Sequence, residues 1–566
     1  EGDRIHVRIA RGTDMAVRVI AHGEAPPVVE LRSSDGRAVP ATFVPPNEYV
    51  ARFHSVRAPF SFHAEGGDDR DATPSVDVET VVPPGLGRIT VTLTPPPYSG
   101  QPESVRDGGS FEALAGTHAR LRVDTTVPVA HGLLRFRDAD ATVDLVADPT
   151  APAAPGTSAL AAEIEVTKSV RYSIEVEDSQ GLRNSDSGTY SIVALVDRPP
   201  EVRLQAPGRG DVDVAPNGSI ALQARVADDF AVADVHLRTR VGSGEPETTP
   251  LGAHADGAAS KPASAPDERP PSFGKLAVVR HRLEIERTTA PDGGEGRRPL
   301  REGDVLELSV EALDARTPQP GSGESARVRA IVLGPAEIRS RLDARIARVK
   351  DTVEKLHALQ VERRRRVNEI LEALGSEGSP TSERLSIAGV VAGQNRVTTD
   401  ARSLAREMFE VFESVASNRL DRIGAPVSAA LDDLRATMRV ADEDPYHPEV
   451  ARALVLAMRD GKLGAPEALS VLGDMLFEAA AIALESSPKA SKELDAAAIA
   501  LERAPAVAAL EKARARQEAT IESLEKLLTM LSEWDTFQTV VTATHEIVDQ
   551  QRALLRRTKD EARDRK

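Results

Sequence analysis

Pairs of closely spaced acidic residues give the chain the oxygen donors that a calcium site would use. Three such pairs occur: Asp228 with Asp229, Asp138 with Asp140, and Asp211 with Asp213. A calcium ion takes six to eight oxygen ligands, which usually come from several loops, and paired acids alone are common at strand ends and turns. We therefore expect no metal site at these positions.

Other residue types that carry catalytic chemistry do not occur in the required patterns. The 12 histidines show no spacing typical of a zinc site, and His545-Glu546 lacks the second histidine of a zinc-protease helix. The chain has no cysteine, no Gly-x-Ser-x-Gly motif and no phosphate-binding P-loop sequence. The sequence therefore predicts no catalytic residue, no cofactor and no metal ligand, and it indicates a protein that is not an enzyme.

A run of four arginines, Arg363 to Arg366, is the one basic cluster that suggests a ligand such as phosphate, acidic lipid or an acidic partner. Consecutive residues point around a helix, so the run does not form a single basic face. Glu362, Glu369 and Glu372 dilute its charge further. We interpret the run as the solvated surface of a helix.

Composition narrows the class of partner. Aromatic residues make up only 3% of the 566 residues, so stacking platforms for sugars or single-stranded nucleic acid are scarce. The formal net charge of −17 argues against nucleic acid, because its phosphates would be repelled. The sequence contains no run of about 18 apolar residues, so it predicts no transmembrane helix. The length exceeds that of one hydrophobic core and predicts several domains.

Short strands with alternating apolar and polar residues, such as 305–310, fill the chain up to about residue 334. Pro-rich stretches at 95–97 and 199–200 separate groups of strands. We predict three tandem all-β immunoglobulin-like sandwiches, at 1–94, 95–197 and 198–334. Residues at about 241–273 lack periodicity and are predicted to form a disordered insertion in the third sandwich.

From residue 335 onward the apolar period is about three and a half, which is typical of long helices packed along one stripe. We predict an all-α coiled-coil or bundle region at 335–566, whose first two helices form an antiparallel hairpin around the Gly/Ser/Pro segment at 375–380. The seam residues expected to contribute most to association of the helices with each other, with a second copy or with a protein partner are Leu342, Ile346, Val349, Val353, Ile387, Val391, Met408 and Phe412.

Four polar residues interrupt this apolar seam. Gln360 and Arg363 lie on the first predicted helix, and Gln394 and Thr398 lie on the second. Polar seam residues commonly set the register of paired helices at some cost in stability. If the two helices fold back on each other, these positions meet near the helix middles, and register-setting is favoured over catalysis.

Several short motifs resemble those of one bacterial family. They are Pro96-Pro97-Tyr98-Ser99-Gly100, Leu114-Ala115-Gly116-Thr117, Ala227-Asp228-Asp229-Phe230, and the helical segments 394–401 and 549–558. The chain resembles the membrane-anchored domain-of-unknown-function 4175-like proteins, which carry tandem immunoglobulin-like repeats and a long helical C-terminal region. Phe230-Ala231 departs from the aromatic-Gly pair that is more usual in that family. The resemblance implies a membrane anchor before Glu1 and a periplasmic or extracytoplasmic location, and it implies no catalytic residues.

The leading hypothesis is a non-enzymatic cell-envelope scaffold or adhesion protein, with a β-sandwich arm and a helical association region. Because residue 1 is Glu rather than Met, we expect a processed product or a fragment. The first alternative is a periplasmic sensing or regulatory module that binds a polymer or peptide. The second is a hydrolase with accessory sandwich domains, which would require two acidic side chains that converge in a cleft.

Overall fold

The computed structural model describes residues 4–137, 141–150, 153–184, 186–208, 210–252, 274–292, 296–375, 379–419, 424–461, 463 and 467–564. The chain divides into two compact units, Glu1–Asp197 and Arg198–Lys566. The first unit contains two β-sandwiches, and the second contains a third β-sandwich followed by helices. The predicted fold class is therefore confirmed.

The first sandwich closes through one strand that belongs to both of its layers. Its strands are β1 (Arg4–Ala10), β2 (Met15–Ile20), β3 (Val29–Ser33), β4 (Ala38–Val44), β5 (Glu48–Phe53), β6 (Phe60–Gly66) and β7 (Ser75–Val81). The first half of β4 pairs with β3 and its second half pairs with β5. Leu31, Phe53 and Phe62 are buried between the layers, so alternating strand residues form the core.

The second sandwich begins earlier than the sequence predicts. Its strands are β8 (Leu86–Thr94), β9 (Ser104–Asp107), β10 (Phe111–Leu114), β11 (Thr117–Thr125), β12 (His131–Phe136), β13 (Thr142–Asp144), β14 (Val146–Ala147), β15 (Ala159–Val166), β16 (Val170–Glu177) and β17 (Tyr190–Leu195). Strand β8, assigned from sequence to the first domain, pairs with β9 and β11. The division falls before Leu86 rather than after Thr94, because Val91 and Leu93 pack into the second core.

The third sandwich opens the second unit. Its strands are β18 (Glu201–Ala206), β19 (Val212–Val214), β20 (Ser219–Ala227), β21 (Val232–Val241), β22 (Glu247–Pro250), β23 (Leu276–Glu284), β24 (Thr289–Pro291), β25 (Arg297–Pro299), β26 (Val305–Asp314), β27 (Ser322–Glu324) and β28 (Val328–Val332). The range 241–273, predicted to be disordered, contains β22, which pairs with β21. The prediction is wrong there because a hairpin partner supplies backbone hydrogen bonds that polar residues can use. Residues 253–273 lie outside the described part of the chain.

A parallel strand pair recurs in all three sandwiches. An early strand lies parallel to the last strand in each case, as β1 with β7, β10 with β17, and β19 with β28. Parallel partners cannot be joined by a tight turn, and other strands of the sandwich lie between them in the chain. The three sandwiches therefore repeat the same pairing of an early strand with the terminal strand.

The helical region begins three residues after β28. Its helices are α1 (Pro335–Gly375), α2 (Arg384–Ser417), α3 (Gly424–Thr437), α4 (Val440–Glu443), α5 (Pro448–Arg459), α6 (Glu467–Ala481), α7 (Ser487–Ile499) and α8 (Arg503–Asp564). A π-helical turn, Ile482–Ser486, joins α6 to α7 into one continuous segment. No described helix is long and apolar enough to cross a membrane.

Four long helical segments, α1, α2, α6–α7 and α8, pack side by side as a bundle within one chain. Cross-bundle contacts between His357 and Glu525 and between Arg364 and Glu518 show that α1 and α8 run antiparallel. The apolar interior forms two separate clusters, one around Val353 and Phe412 and one around Ile370 and Leu510. Between them lies a layer of polar side chains.

Candidate functional site: the bundle seam and its junction with the third sandwich

The eight predicted seam residues lie inside the bundle. Leu342, Ile346, Val349, Val353, Met408 and Phe412 belong to the larger apolar cluster. Ile387 belongs to the smaller cluster, and Val391 packs against it partly buried. Their apolar faces are therefore covered by helices of the same chain, and association of the helical region with a second chain stays a prediction.

The predicted polar seam residues Gln360 and Gln394 meet in the middle of the bundle. Both side chains are fully buried, and their amides exchange hydrogen bonds of 3.3 and 3.0 Å. Gln394 also accepts a bond of 2.9 Å from Gln517 and donates one of 3.2 Å to Ser487. Thr398 joins the same layer through the Ser487 hydroxyl, 2.8 Å away. The bonds link all of these side chains in the present alignment of the helices, which is the arrangement expected of a polar layer that sets their register.

Arg363 differs from the other three polar seam residues because it packs against backbone. A Cβ at Gly393 would lie 2.6 Å from the Arg363 Nε, so glycine leaves the space that the guanidinium occupies. The neighbouring arginines are engaged by carboxylates: Arg364 with Glu518, Arg365 with Glu362 and Glu369, and Arg366 with Glu362 and Glu369. Three of the four arginines are thus neutralised by carboxylates on the bundle surface.

The third sandwich is fastened to the helices through its outer face. Strand β20 points Ile220, Leu222 and neighbours into the sandwich core, yet its outward residues Ser219, Ala221 and Gln223 are only 5%, 9% and 2% exposed. Alternation along a strand would place such residues in solvent. They are buried because helical residues cover this face, as the hydrogen bond from Gln223 to the Ala441 carbonyl shows.

Two arginines on β23 carry the ionic part of this junction. The Arg282 guanidinium donates to both carboxylate oxygens of Asp432, at 2.6 and 2.7 Å, and to the Ser428 carbonyl at 3.2 Å. Arg280 forms an ion pair with Asp442. The two arginine side chains are 13% and 15% exposed and their carboxylate partners are 32% and 39% exposed, so the pairs are partly shielded from water. The sequence signal for them was two arginines two positions apart on the outward face of a strand.

The end of α2 adds a third attachment. Asn418, 2% exposed, accepts a hydrogen bond of 2.6 Å from the Ala215 amide and donates one of 3.1 Å to the Asp213 carbonyl. Arg419 forms an ion pair of 2.7 Å with Glu284. Together these bonds attach the segment around β19 and the end of β23 to the C-terminal end of α2.

A buried ion pair lies directly beneath the junction. Arg435 of α3 and Glu413 of α2 have side chains 3% and 10% exposed and are joined by hydrogen bonds of 2.6 and 3.2 Å. The guanidinium also lies over the rings of Phe409 and Tyr446, 5.6 and 5.2 Å from their centroids. Burial raises the pKa of Glu413, but the charge and hydrogen bonds of Arg435 more than offset it, so the pKa is lowered.

A cleft of about 570 Å³ opens between the third sandwich and helices α1 and α2. Three acids that line it are engaged by arginines: Asp213 with Arg341, Glu410 with Arg345 and Arg406, and Glu413 with Arg435. Burial raises the pKa of Glu410 despite those arginines. Asp211 and Glu407 also line the cleft. Acidic side chains therefore do converge here, within a network of ion pairs.

The acidic pairs singled out from the sequence have different surroundings. Asp213 is bound to Arg341 at 2.9 Å, and Asp211 lies in the cleft. Asp138 and Asp140 lie outside the described residues, as do the side chains of His545 and Glu546. Asp228 is half-buried at the end of β20.

No protein-family model matches the chain, and no curated protein matches it. Solved structures that align with it include titin domains A168–A170, with 10% identity, 58% of this chain and 96% of that chain covered, and a TM-score of 0.17. A 1.5-MDa bacterial ice-binding adhesin aligns with 11% identity over 59% of this chain and 95% of that chain, with a TM-score of 0.21. Three domains of the bacteriophage RB49 outer capsid protein Hoc align with 11% identity over 57% and 96%, with a TM-score of 0.19. Scores this low carry no argument about function.

Proposed function

We propose that the chain is a non-enzymatic scaffold or adhesion-type interaction protein of the bacterial cell envelope. The observation that carries the proposal is the junction of the third sandwich with the helices, where Arg280, Arg282 and Asn418 form buried or half-buried bonds across the contact. A scaffold must hold its parts in a fixed relation, and partly buried ion pairs and hydrogen bonds serve that purpose better than a flexible linker does. The resemblance to membrane-anchored proteins supports a periplasmic or other extracytoplasmic location.

The partner in this proposal is a protein or a second copy of the chain, bound through the helical region. Because the seam residues are covered within one chain, such binding uses the outer surface of the bundle. Light scattering coupled to size exclusion, on the whole chain and on 198–566, tests self-association. A defined oligomer of both supports it, whereas monomers of both over a wide concentration range contradict it and leave a different protein as the partner.

Rigidity of the junction can be tested directly because the chain contains no cysteine. Cysteines introduced at Arg329 on β28 and at Ala436 on α3, both exposed, allow two spin labels to be attached within the second unit. We expect a single narrow distance distribution that broadens on Arg282→Gln. The matched control is Arg203→Gln, which alters an exposed pair with Glu201 on the same sandwich. A broad distribution in the parent chain would contradict the scaffold proposal.

The cleft at the junction favours a second candidate function, a sensing module in which a bound polymer or peptide changes the relation of sandwich and helices. Its walls combine charges of both signs, including Arg348 and Glu407. The same spin-labelled chain distinguishes the two functions. A ligand that shifts the distance distribution supports the sensor, and a distribution that no candidate ligand moves supports the scaffold.

A further inference from the structure

Strand pairing brings two carboxylates, Asp228 and Asp314, together at one edge of the third sandwich. Asp228 follows the end of β20, and Asp314 is the last residue of β26. Because β21 runs antiparallel to β26, with Val232 opposite Asp314, the turn that leads into β21 lies beside the end of β26. One carboxylate oxygen of Asp228 lies within 4.8 Å of one of Asp314.

Each carboxylate uses one oxygen to hold its own turn. Oδ1 of Asp228 accepts hydrogen bonds from the amides of Phe230 and Ala231, at 2.8 and 2.7 Å. Oδ1 of Asp314 accepts two backbone hydrogen bonds in the same manner, at 3.0 and 2.7 Å. These donors fix the orientation of both side chains and leave the second oxygen of each for another partner.

The second oxygens are buried without a hydrogen-bond donor. Asp314 is 1% exposed, and Oδ2 of Asp228 and Oδ2 of Asp314 accept no hydrogen bond from the part of the chain that the structure describes. The Arg316 guanidinium lies 3.8 Å from Oδ2 of Asp314. Burial, together with the charge of Asp314, raises the pKa of Asp228. Buried acceptors left in this state cost free energy, so the arrangement calls for a cation between them.

We propose that Asp228 and Asp314 bind a calcium ion with the Oδ2 atoms that accept no hydrogen bond from the described part of the chain. Two oxygens that each lie about 2.3–2.6 Å from one calcium ion are at most about 5 Å apart. The oxygens of Asp228 and Asp314 that lie within 4.8 Å of each other meet this condition. Magnesium, with ligands at about 2.0–2.1 Å, requires a separation below about 4.2 Å. Water and backbone carbonyls complete the six to eight ligands. This site reverses the sequence-based expectation that Asp228 binds no metal.

The test is a calorimetric titration of the whole chain, freed of divalent cations by a chelator, with calcium chloride. We expect uptake of about one calcium ion at concentrations up to the order of 1 mM, lost in both Asp228→Asn and Asp314→Asn. Asparagine keeps the oxygen that holds each turn, so the fold is retained. The control is Asp178→Asn, because Oδ1 of Asp178 holds a turn of the second sandwich through the amides of Gln180 and Leu182.

Hydrogen exchange supplies a second, local readout. In the parent chain and the control, calcium should slow exchange of the amides at 228–231 and 314–321, and in the two variants it should not. Absence of uptake by the parent chain overturns the proposal, as does uptake that survives in both variants.

Discussion

Glu413 and Arg435 illustrate how a single buried pair can matter more than many surface pairs. Exposed ion pairs contribute roughly 0–1 kcal/mol each, because water screens them and long side chains lose entropy. Removing one partner of a buried pair is different, since the remaining charge is left in a medium that solvates it poorly. Arg435 additionally donates to the Pro445 carbonyl and lies over two aromatic rings, so it holds α2, α3 and the segment that follows α4 together.

Arg435→Met should lower the free energy of unfolding of the bundle by about 3–5 kcal/mol, because it leaves the Glu413 carboxylate buried without its partner. Trp534, the one tryptophan of the chain, is 4% exposed in the bundle core, so its fluorescence during urea unfolding reports on the bundle. The double variant Glu413→Leu with Arg435→Met should recover most of the loss. Equal stability of the single and double variants would contradict the argument.

The same pair predicts a pH dependence. The pKa of folded Glu413 is lowered from its ordinary value of 4.5. Unfolded Glu413 therefore takes up a proton at a higher pH than the folded residue does, and the stability that the pair contributes is present above pH 4.5 and lost as the pH falls through the folded pKa. The free energy of unfolding of the bundle, measured through Trp534 fluorescence, should fall more steeply below pH 4.5 in the parent chain than in the double variant. Parallel profiles would show that Glu413 does not contribute.

Gln394 supports a third prediction at the level of the residue. Gln394→Leu removes the shared partner of Gln360 and Gln517, and each buried amide left unsatisfied costs about 1–3 kcal/mol. Replacing all three glutamines by leucine should restore stability, because no amide is then left buried. Urea unfolding followed by Trp534 fluorescence measures the free energy of unfolding of both variants. If the single variant were as stable as the triple variant, the layer would not be a coupled network.

At the level of the element, the apolar spacing of α1 predicted correctly which residues would be buried. It could not identify what buries them, because a heptad seam looks the same whether the covering helix belongs to the same chain or to another. One of the helices that cover α1 is α8, which begins more than 120 residues after α1 ends. Such a pairing leaves no local sequence signal. The polar residues Gln360 and Gln394 were identifiable from sequence because they broke the period, whereas Gln517 was not.

The strands show the same limit. The sequence located β8 but assigned it to the first sandwich, because a strand pattern does not say which sheet the strand joins. Arg280 and Arg282 read as ordinary outward residues of a strand. Their function in the junction depends on Asp432 and Asp442, about 150 residues away, so only the folded chain shows it.

Val353→Asp tests the seam as an element. Val353 is fully buried between helices, so a carboxylate there should lower the stability of the bundle by several kcal/mol and reduce its helicity. The matched control is Ala347→Asp, an exposed position on the same helix. Circular dichroism and Trp534 fluorescence measure the outcome. Unchanged helicity and stability in Val353→Asp would contradict the packing of α1 against its neighbours.

For the whole molecule, we expect the two parts of the second unit, the third sandwich and the helical region, to depend on each other for stability. The third sandwich and the helices bury surface against each other. Gln223 of the sandwich and Asn418 at the end of α2 are each 2% exposed, and each forms a hydrogen bond with the other part. Separating them would expose that surface and leave Asp432 and Asp442 without their arginine partners. The helical region should therefore fold less stably when the third sandwich is removed.

The corresponding experiment compares thermal unfolding of the whole chain, of 198–566 and of 335–566, followed by Trp534 fluorescence. The comparison that tests the junction is between 198–566, which keeps the third sandwich, and 335–566, which lacks it. The midpoint of 335–566 should be lower, by roughly 2–4 °C for each kcal/mol lost in a domain of this size. Arg282→Gln in 198–566 should shift the midpoint in the same direction by a smaller amount. If 335–566 unfolded at the same temperature as 198–566, the junction would contribute nothing to stability, and the proposal of a fixed relation between sandwich and helices would lose its physical basis.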